Sequence, residues 1–74
     1  MRMSELSRRS GVPIPTIKYY LREGLLQPGT ATAATRAEYG ESHVRRLRLI
    51  RALLEIGELP VTAIQRIVLS LDRL

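Results

Sequence analysis

The stretch from Gly11 to Leu26 reads G-V-P-I-P-T-I-K-Y-Y-L-R-E-G-L-L. Proline fixes a backbone angle that suits the first turn of a helix, and glycine readily adopts the left-handed conformation that ends one. The stretch therefore predicts a tight turn, then a helix over residues 15–23 that opens on Pro15, and a stop at Gly24.

The predicted helix has two unlike sides. Ile14, Ile17 and Leu21 recur at the spacing of one helical face, which predicts that this face is buried. The other side exposes cationic and aromatic groups beside a helix start whose free N–H groups attract anions. Such a helix is suited to a DNA groove. Its candidate binding residues are Thr16, Lys18, Tyr19, Tyr20 and Arg22.

A shorter helix is predicted ahead of this one. Ser4 is a good N-cap, and Gly11 supplies a left-handed stop. Two helices joined by a short turn that contains glycine form a helix-turn-helix unit, here residues 4–24. Arg8 and Arg9 face outward, either as contacts to DNA or as ordinary surface residues.

The segment over residues 27–40 has a different character. Pro28-Gly29 marks a turn, and the following residues T-A-T-A-A-T are small and lack a hydrophobic period. The segment predicts either an irregular hairpin or a mobile loop. Arg36 within it is a further candidate for DNA contact.

Two more helices are predicted after this segment, over residues 41–56 and 60–73. Gly57 is expected to end the first, and Pro60 to open the second. The helix over 41–56 is apolar on two sides, which indicates that it lies between neighbours. The predicted core of the whole chain consists of Leu6, Val12, Ile14, Ile17, Leu21, Leu25, Leu47, Ile50, Leu54, Ile64 and Val68.

Composition limits the possible functions. The 74 residues suffice for one small domain, and their formal net charge of +5 favours an anionic partner. The charge is uneven, with a net +4 up to Ala37 and +1 from Glu38 onward. The chain has no cysteine and a single histidine, His43, so we expect no metal, no cofactor and no catalytic site. No membrane span or signal sequence is evident, and we expect a cytoplasmic protein.

Several short motifs in fixed order resemble the DNA-binding domain of MerR-family transcription regulators. Pro13 and Pro15 stand where that family usually has serine and arginine. In chain order the motifs are Ser10-Gly11-Val12, Thr16-Ile17-Lys18-Tyr19-Tyr20, Gly24-Leu25-Leu26, Arg36 with Tyr39, Leu47 to Ile50, and Ile56-Gly57.

The resemblance implies a mostly α winged helix-turn-helix fold, with four helices and a small wing between helices two and three. It implies that residues 15–23 enter the major groove of double-stranded DNA, where Lys18 reaches base edges or phosphates. By the same resemblance Tyr19 contacts the backbone, whereas Tyr20 is at least half structural, and Arg36 acts from the wing.

The family's way of working sets further expectations. Its members are homodimers that bind promoter operators and act on RNA polymerase indirectly, through the DNA. The helix that pairs subunits and the effector domain are not evident in this sequence, so we expect a fragment that is monomeric or weakly associating alone. Two other functions remain open: an architectural or excision-factor DNA-binding module, and a protein-interaction module that docks through helix 41–56.

Overall fold

The computed structural model describes residues 1–74 and contains four helices and one hairpin. The predicted mostly helical class, with a hairpin between the second and third helices, is confirmed. No helix combines the length and the apolar character that crossing a membrane requires. The elements are α1 (Met3–Ser10), α2 (Ile14–Arg22), β1 (Thr30–Ala33), β2 (Arg36–Glu38), α3 (Glu41–Glu55) and α4 (Val61–Leu71).

The turn between α1 and α2 is held by its own hydrogen bonds. Gly11 is left-handed, with φ of 74°, as its sequence predicted, and its N–H bonds to the Ser7 carbonyl at 2.9 Å. The Ser7 hydroxyl donates to the carbonyl of Val12 at 2.6 Å, and the buried Ser10 hydroxyl accepts from the Val12 N–H at 3.2 Å. The angle between the two helices is therefore fixed locally.

Both of these helices begin earlier than predicted, α1 by two residues and α2 by one. The Arg2 carbonyl accepts from the Leu6 N–H at 3.0 Å, so Arg2 rather than Ser4 is the N-cap of α1. The Pro13 carbonyl likewise accepts from the Ile17 N–H at 3.0 Å, which makes Pro15 the second helical residue. Proline is tolerated there because the first-turn N–H groups have no partner within the helix.

The end of α3 differs from the sequence prediction. Gly57 does not adopt a left-handed angle; Glu58 does, with φ of 52°, and it is the only non-glycine residue with a positive φ. A Cβ on Gly57 would lie 3.0 Å from the carbonyl oxygen of Leu53. The glycine therefore permits a close backbone approach, and the next residue carries the strained angle. Helix α4 similarly ends at Leu71 rather than at residue 73.

The hairpin follows α2 as an antiparallel pair of short strands. Thr30 pairs with Glu38, and the register shifts between Ala31 and Ala33, which indicates a bulge. At the base of the hairpin, the Tyr39 N–H bonds to the Met1 carbonyl at 2.7 Å. The start of the chain is thereby attached to the hairpin, which projects beside α2 as a wing.

One cluster of buried side chains holds the elements together. Leu21 and Leu54 are only half-buried because they pack at its margins. Ile14, also predicted as core, is half-buried and lines an open depression between α2 and the wing. Tyr20, Leu26, Tyr39 and Val44 belong to the cluster although the predicted core did not include them. Its members are Leu6, Val12, Ile17, Tyr20, Leu25, Leu26, Tyr39, Val44, Leu47, Ile50, Ile64 and Val68.

The left-handed angle at Glu58 leads to a stability prediction. Glu58→Gly removes a conformational penalty of roughly 1–2 kcal/mol, partly offset by the greater freedom of glycine in the unfolded chain. We expect a net gain of about 0.5–1 kcal/mol in the free energy of unfolding, measured by urea denaturation. The control Arg45→Gly lies at an exposed interior position of α3 and should lose about 1 kcal/mol. Equal losses in both variants would contradict the structure at this turn.

Candidate nucleic-acid interface

The rotation of α2 about its axis is set by two buried residues. Ile17 is fully buried and Tyr20 is 6% exposed. Because each residue turns an α-helix by about 100°, Lys18 points away from Ile17 and lies in solvent. Arg22, one turn further on, is exposed as well. The cationic side of α2 that the sequence predicted is therefore on the surface.

Lys18 lines an open depression of about 780 Å³ between the start of α1, helix α2 and the wing. Arg36 of the wing lines the same depression, so the structure brings these two predicted residues together. Arg2 is the third cation on its wall, a position that the sequence did not predict. No periodic pattern includes Arg2, because it precedes the first helix.

The three cations of this depression form no ion pair. Arg2, Lys18 and Arg36 make no side-chain hydrogen bond within the chain. The acid of the neighbouring strand, Glu38, instead bonds to the amino group of Met1 at 2.9 Å. That bond, and next the charge of the amino group, lowers the pKa of Glu38, and the charge of Arg2 adds a smaller contribution. The depression therefore remains positively charged.

Tyr19 and Arg22 interact on the last turns of α2. The Arg22 guanidinium carbon lies 5.6 Å from the centroid of the Tyr19 ring, which is within the range of a cation–π interaction. Tyr19 is half-buried, and its ring lies 6.0 Å from that of Tyr20. The contact holds the Arg22 charge close to the helix and beside a tyrosine hydroxyl.

Tyr20 and Thr16 lie away from the Lys18 depression. Burial raises the pKa of Tyr20, with a smaller contribution from the charge of Glu55, and its ring belongs to the core. Thr16 shares a separate depression of about 220 Å³ with Tyr20 and Arg51. Thr16 and Lys18 are two positions apart on the helix, about 200°, so they face different directions.

Arg9 is occupied by an ion pair within the chain. Its guanidinium donates two hydrogen bonds to the Glu41 carboxylate, one of them at 2.8 Å. This pairing raises the pKa of Arg9 and lowers that of Glu41. Arg9 therefore joins α1 to the first turn of α3, a structural role that the sequence did not indicate. Arg8 is exposed and has no such partner.

His43 joins the two ends of the wing. The Gly40 N–H donates to Nδ1 of His43 at 3.0 Å, and Nε2 lies 3.1 Å from the carbonyl oxygen of Gln27. The ring also meets Tyr39 edge-on, with centroids 5.1 Å apart. Sequence reasoning considered this histidine only as a metal ligand; the structure gives it a place in positioning the wing and hence Arg36.

A helix-turn-helix with an exposed cationic second helix and a flanking wing defines a class of DNA-binding domain. The chain belongs to the MerR HTH family of regulatory proteins, whose profile matches residues 1–71. The resemblance drawn from its motifs is thus confirmed, and the chain is a DNA-binding regulatory domain of that family.

Curated relatives are themselves regulators. The chain is 39% identical over 57 residues to the HTH-type transcriptional regulator HmrR of Sinorhizobium medicae (strain WSM419), covering 77% of this chain and 39% of that protein. It is 31% identical over 70 residues to the HTH-type transcriptional regulator MerD of Acinetobacter calcoaceticus, covering 95% of this chain and 57% of that protein. The chain thus spans about two fifths to three fifths of the length of these relatives.

Solved structures show the same fold. The transcription regulator PbrR691 from Ralstonia metallidurans CH34, solved in complex with lead(II), is 27% identical with a TM-score of 0.89, over 99% of this chain and 56% of that one. The putative transcriptional regulator SCO5550 from Streptomyces coelicolor A3(2) is 54% identical with a TM-score of 0.74, over 88% of this chain and 27% of that one.

The lowered pKa of Glu41 predicts how stability depends on pH. A carboxylate whose pKa is lowered in the folded state stabilises the fold above its unfolded pKa, and this contribution is lost as the pH falls below about 4. We expect Glu41→Gln to lower the Tm at pH 7 and to flatten the acid side of the Tm–pH curve. The matched control Glu58→Gln, an exposed glutamate without an ion pair, should follow the parent. Parallel curves for Glu41→Gln and parent would contradict the ion pair.

Proposed function

We propose that the chain binds double-stranded DNA sequence-specifically, with α2 in the major groove and the wing on the adjacent backbone. The observation that carries this proposal is the exposure of Lys18 next to a fully buried Ile17, within a depression that Arg36 also lines. The rotation of the helix fixes the side from which Lys18 projects, and its ammonium group has no competing partner in the chain.

The dimensions of the interface suit a duplex. An α-helix with its side chains is about 10–12 Å across and the major groove of B-DNA is about 12 Å wide, so α2 fits within the groove. With α2 in the groove, the wing lies to one side and carries Arg36 to a phosphate or into the adjoining minor groove. The hydrogen bonds of His43 at the wing base support that position.

The side chains divide into base and backbone contacts. Lys18 is exposed at the midpoint of the length of α2, and we assign it to a base edge. Tyr19 and Arg22 act on phosphate from the end of α2, and Thr16 acts from its start. Because Pro13 and Pro15 have no N–H, Ile14 and Thr16 supply the only backbone donors in that first turn.

Three predicted residues receive smaller roles. Arg8 is exposed on α1 and is available to a flanking phosphate. Arg9 would have to leave Glu41 before it could bind DNA, and Tyr20 contributes chiefly by holding α2 in place. The chain acts by binding rather than by catalysis, which agrees with relatives that are named as transcriptional regulators.

The wider biological role is a proposal for the intact regulator. We place it in the cytoplasm as a homodimer on a promoter operator, where it acts on RNA polymerase indirectly through the DNA. The support is membership of the MerR family, together with the greater length of the regulators that the chain matches. A dimer would present two copies of α2 to half-sites related by symmetry.

The proposal predicts separate effects for the two sides of α2. On a duplex selected by the parent chain from a random library, Lys18→Ala should weaken binding by about 1–3 kcal/mol at matched salt, because a base contact is lost. Its thermal unfolding, followed by circular dichroism, should match the parent. Ile17→Ala should instead lose about 2–5 kcal/mol of folding stability.

The control for net charge is Arg66→Ala, an exposed arginine on α4 that lines a groove made only of α4 and C-terminal residues. It should bind the selected duplex much as the parent does. If Lys18→Ala bound the selected duplex as tightly as the parent, the assignment of Lys18 to a base edge would be wrong.

A further inference from the structure

Arg2 has a backbone that is fixed from both sides. It is extended, with φ of −81° and ψ of 168°, and its carbonyl accepts the first hydrogen bond of α1 from the Leu6 N–H at 3.0 Å. The preceding carbonyl, of Met1, accepts from the Tyr39 N–H at the wing base at 2.7 Å. The Arg2 side chain therefore starts from a point that is tied to both α1 and the wing.

Several arginines of α1 and α3 are engaged within the chain, in contrast to Arg2. Arg9 pairs with Glu41, and Arg46 pairs with Asp72 at 2.6 Å. Arg48 donates to the Arg9 carbonyl at 3.2 Å. Arg2 is exposed and has no such partner, so its full donor capacity is available to a ligand.

The wall around Arg2 favours a linear anion. Between the cations, the depression is lined largely by small hairpin side chains such as Ala31, Ala33 and Ala34, which leave room for a strand to pass. Arg2, Lys18 and Arg36 come from the chain start, α2 and the wing, so the positive charge of the depression is spread over three walls rather than held at one point. One DNA strand carries a negative charge per about 3.4 Å of helix axis.

We infer that Arg2 is a third DNA contact, a phosphate ligand that holds one strand of the duplex between α2 and the wing. This inference rests on the proposed function, because the strand crosses the depression only when α2 occupies the major groove. Since the Arg2 backbone is tied to the wing, the contact also fixes the wing and α2 in one register on the duplex. A phosphate contact carries no sequence information.

The test compares Arg2→Gln with Arg66→Gln, which removes the same charge from α4. Binding of the full chain to a labelled duplex of mixed sequence is followed by fluorescence anisotropy over a series of KCl concentrations. Loss of one phosphate contact reduces the slope of log K against log salt by about 0.9. When the salt concentration rises from 50 to 200 mM, the factor by which affinity falls should therefore be about 3.5 times larger for the parent than for Arg2→Gln. Arg66→Gln should keep the parent slope.

Further variants separate this inference from the proposed function. Arg2→Lys keeps the charge and should therefore have the same salt slope as the parent. If the role of Arg2 were purely structural, both Arg2 variants would instead have a lower Tm than the parent. One outcome overturns this inference alone: the parent binds the duplex, Lys18→Ala weakens that binding, and Arg2→Gln shows the same salt slope as Arg66→Gln. If the parent does not bind the duplex, both the inference and the proposed function are overturned.

Discussion

The complete burial of Ile17 is the constraint on which the surface depends. A helix of nine residues has little stability of its own, so its rotation is set by what it packs against. Ile17 enters the core with Leu6 of α1 and Leu47 of α3, and the hydrogen-bonded turn at Gly11 fixes the approach of the helix. The rotation of α2 is thereby fixed, and it places Lys18 on the exposed side of the helix.

Electrostatic pairing divides the chain into scaffold and binding surface. Glu41 and Asp72 lie at the start of α3 and the end of α4, and each is paired with an arginine across an interhelical contact. Such exposed pairs contribute little to stability individually. Their larger effect is to neutralise part of the scaffold, while the depression beside α2 keeps its unpaired cations.

The sequence predicted whatever is governed by local chemistry and periodicity. Gly11 could be assigned because a left-handed residue after a short helix is usually glycine. At the end of α3 the same rule failed, since close packing rather than the backbone angle requires the glycine, and Glu58 takes the left-handed conformation. The Arg9–Glu41 pair joins residues 32 positions apart, which no helical period reveals. Arg2 gains its place in the candidate site only when the wing folds back onto the chain start.

The most direct test of the account is to map where DNA meets the chain. In a ¹⁵N–¹H correlation spectrum of the labelled chain titrated with a duplex, we predict the largest shifts at the exposed positions of α2, at the wing around Arg36 and at the first four residues. The outer side of α4 around Arg66 should be unaffected. Shifts confined to α3 and α4, with Lys18 unchanged, would contradict the central claim that the cationic side of α2 is the surface that contacts DNA.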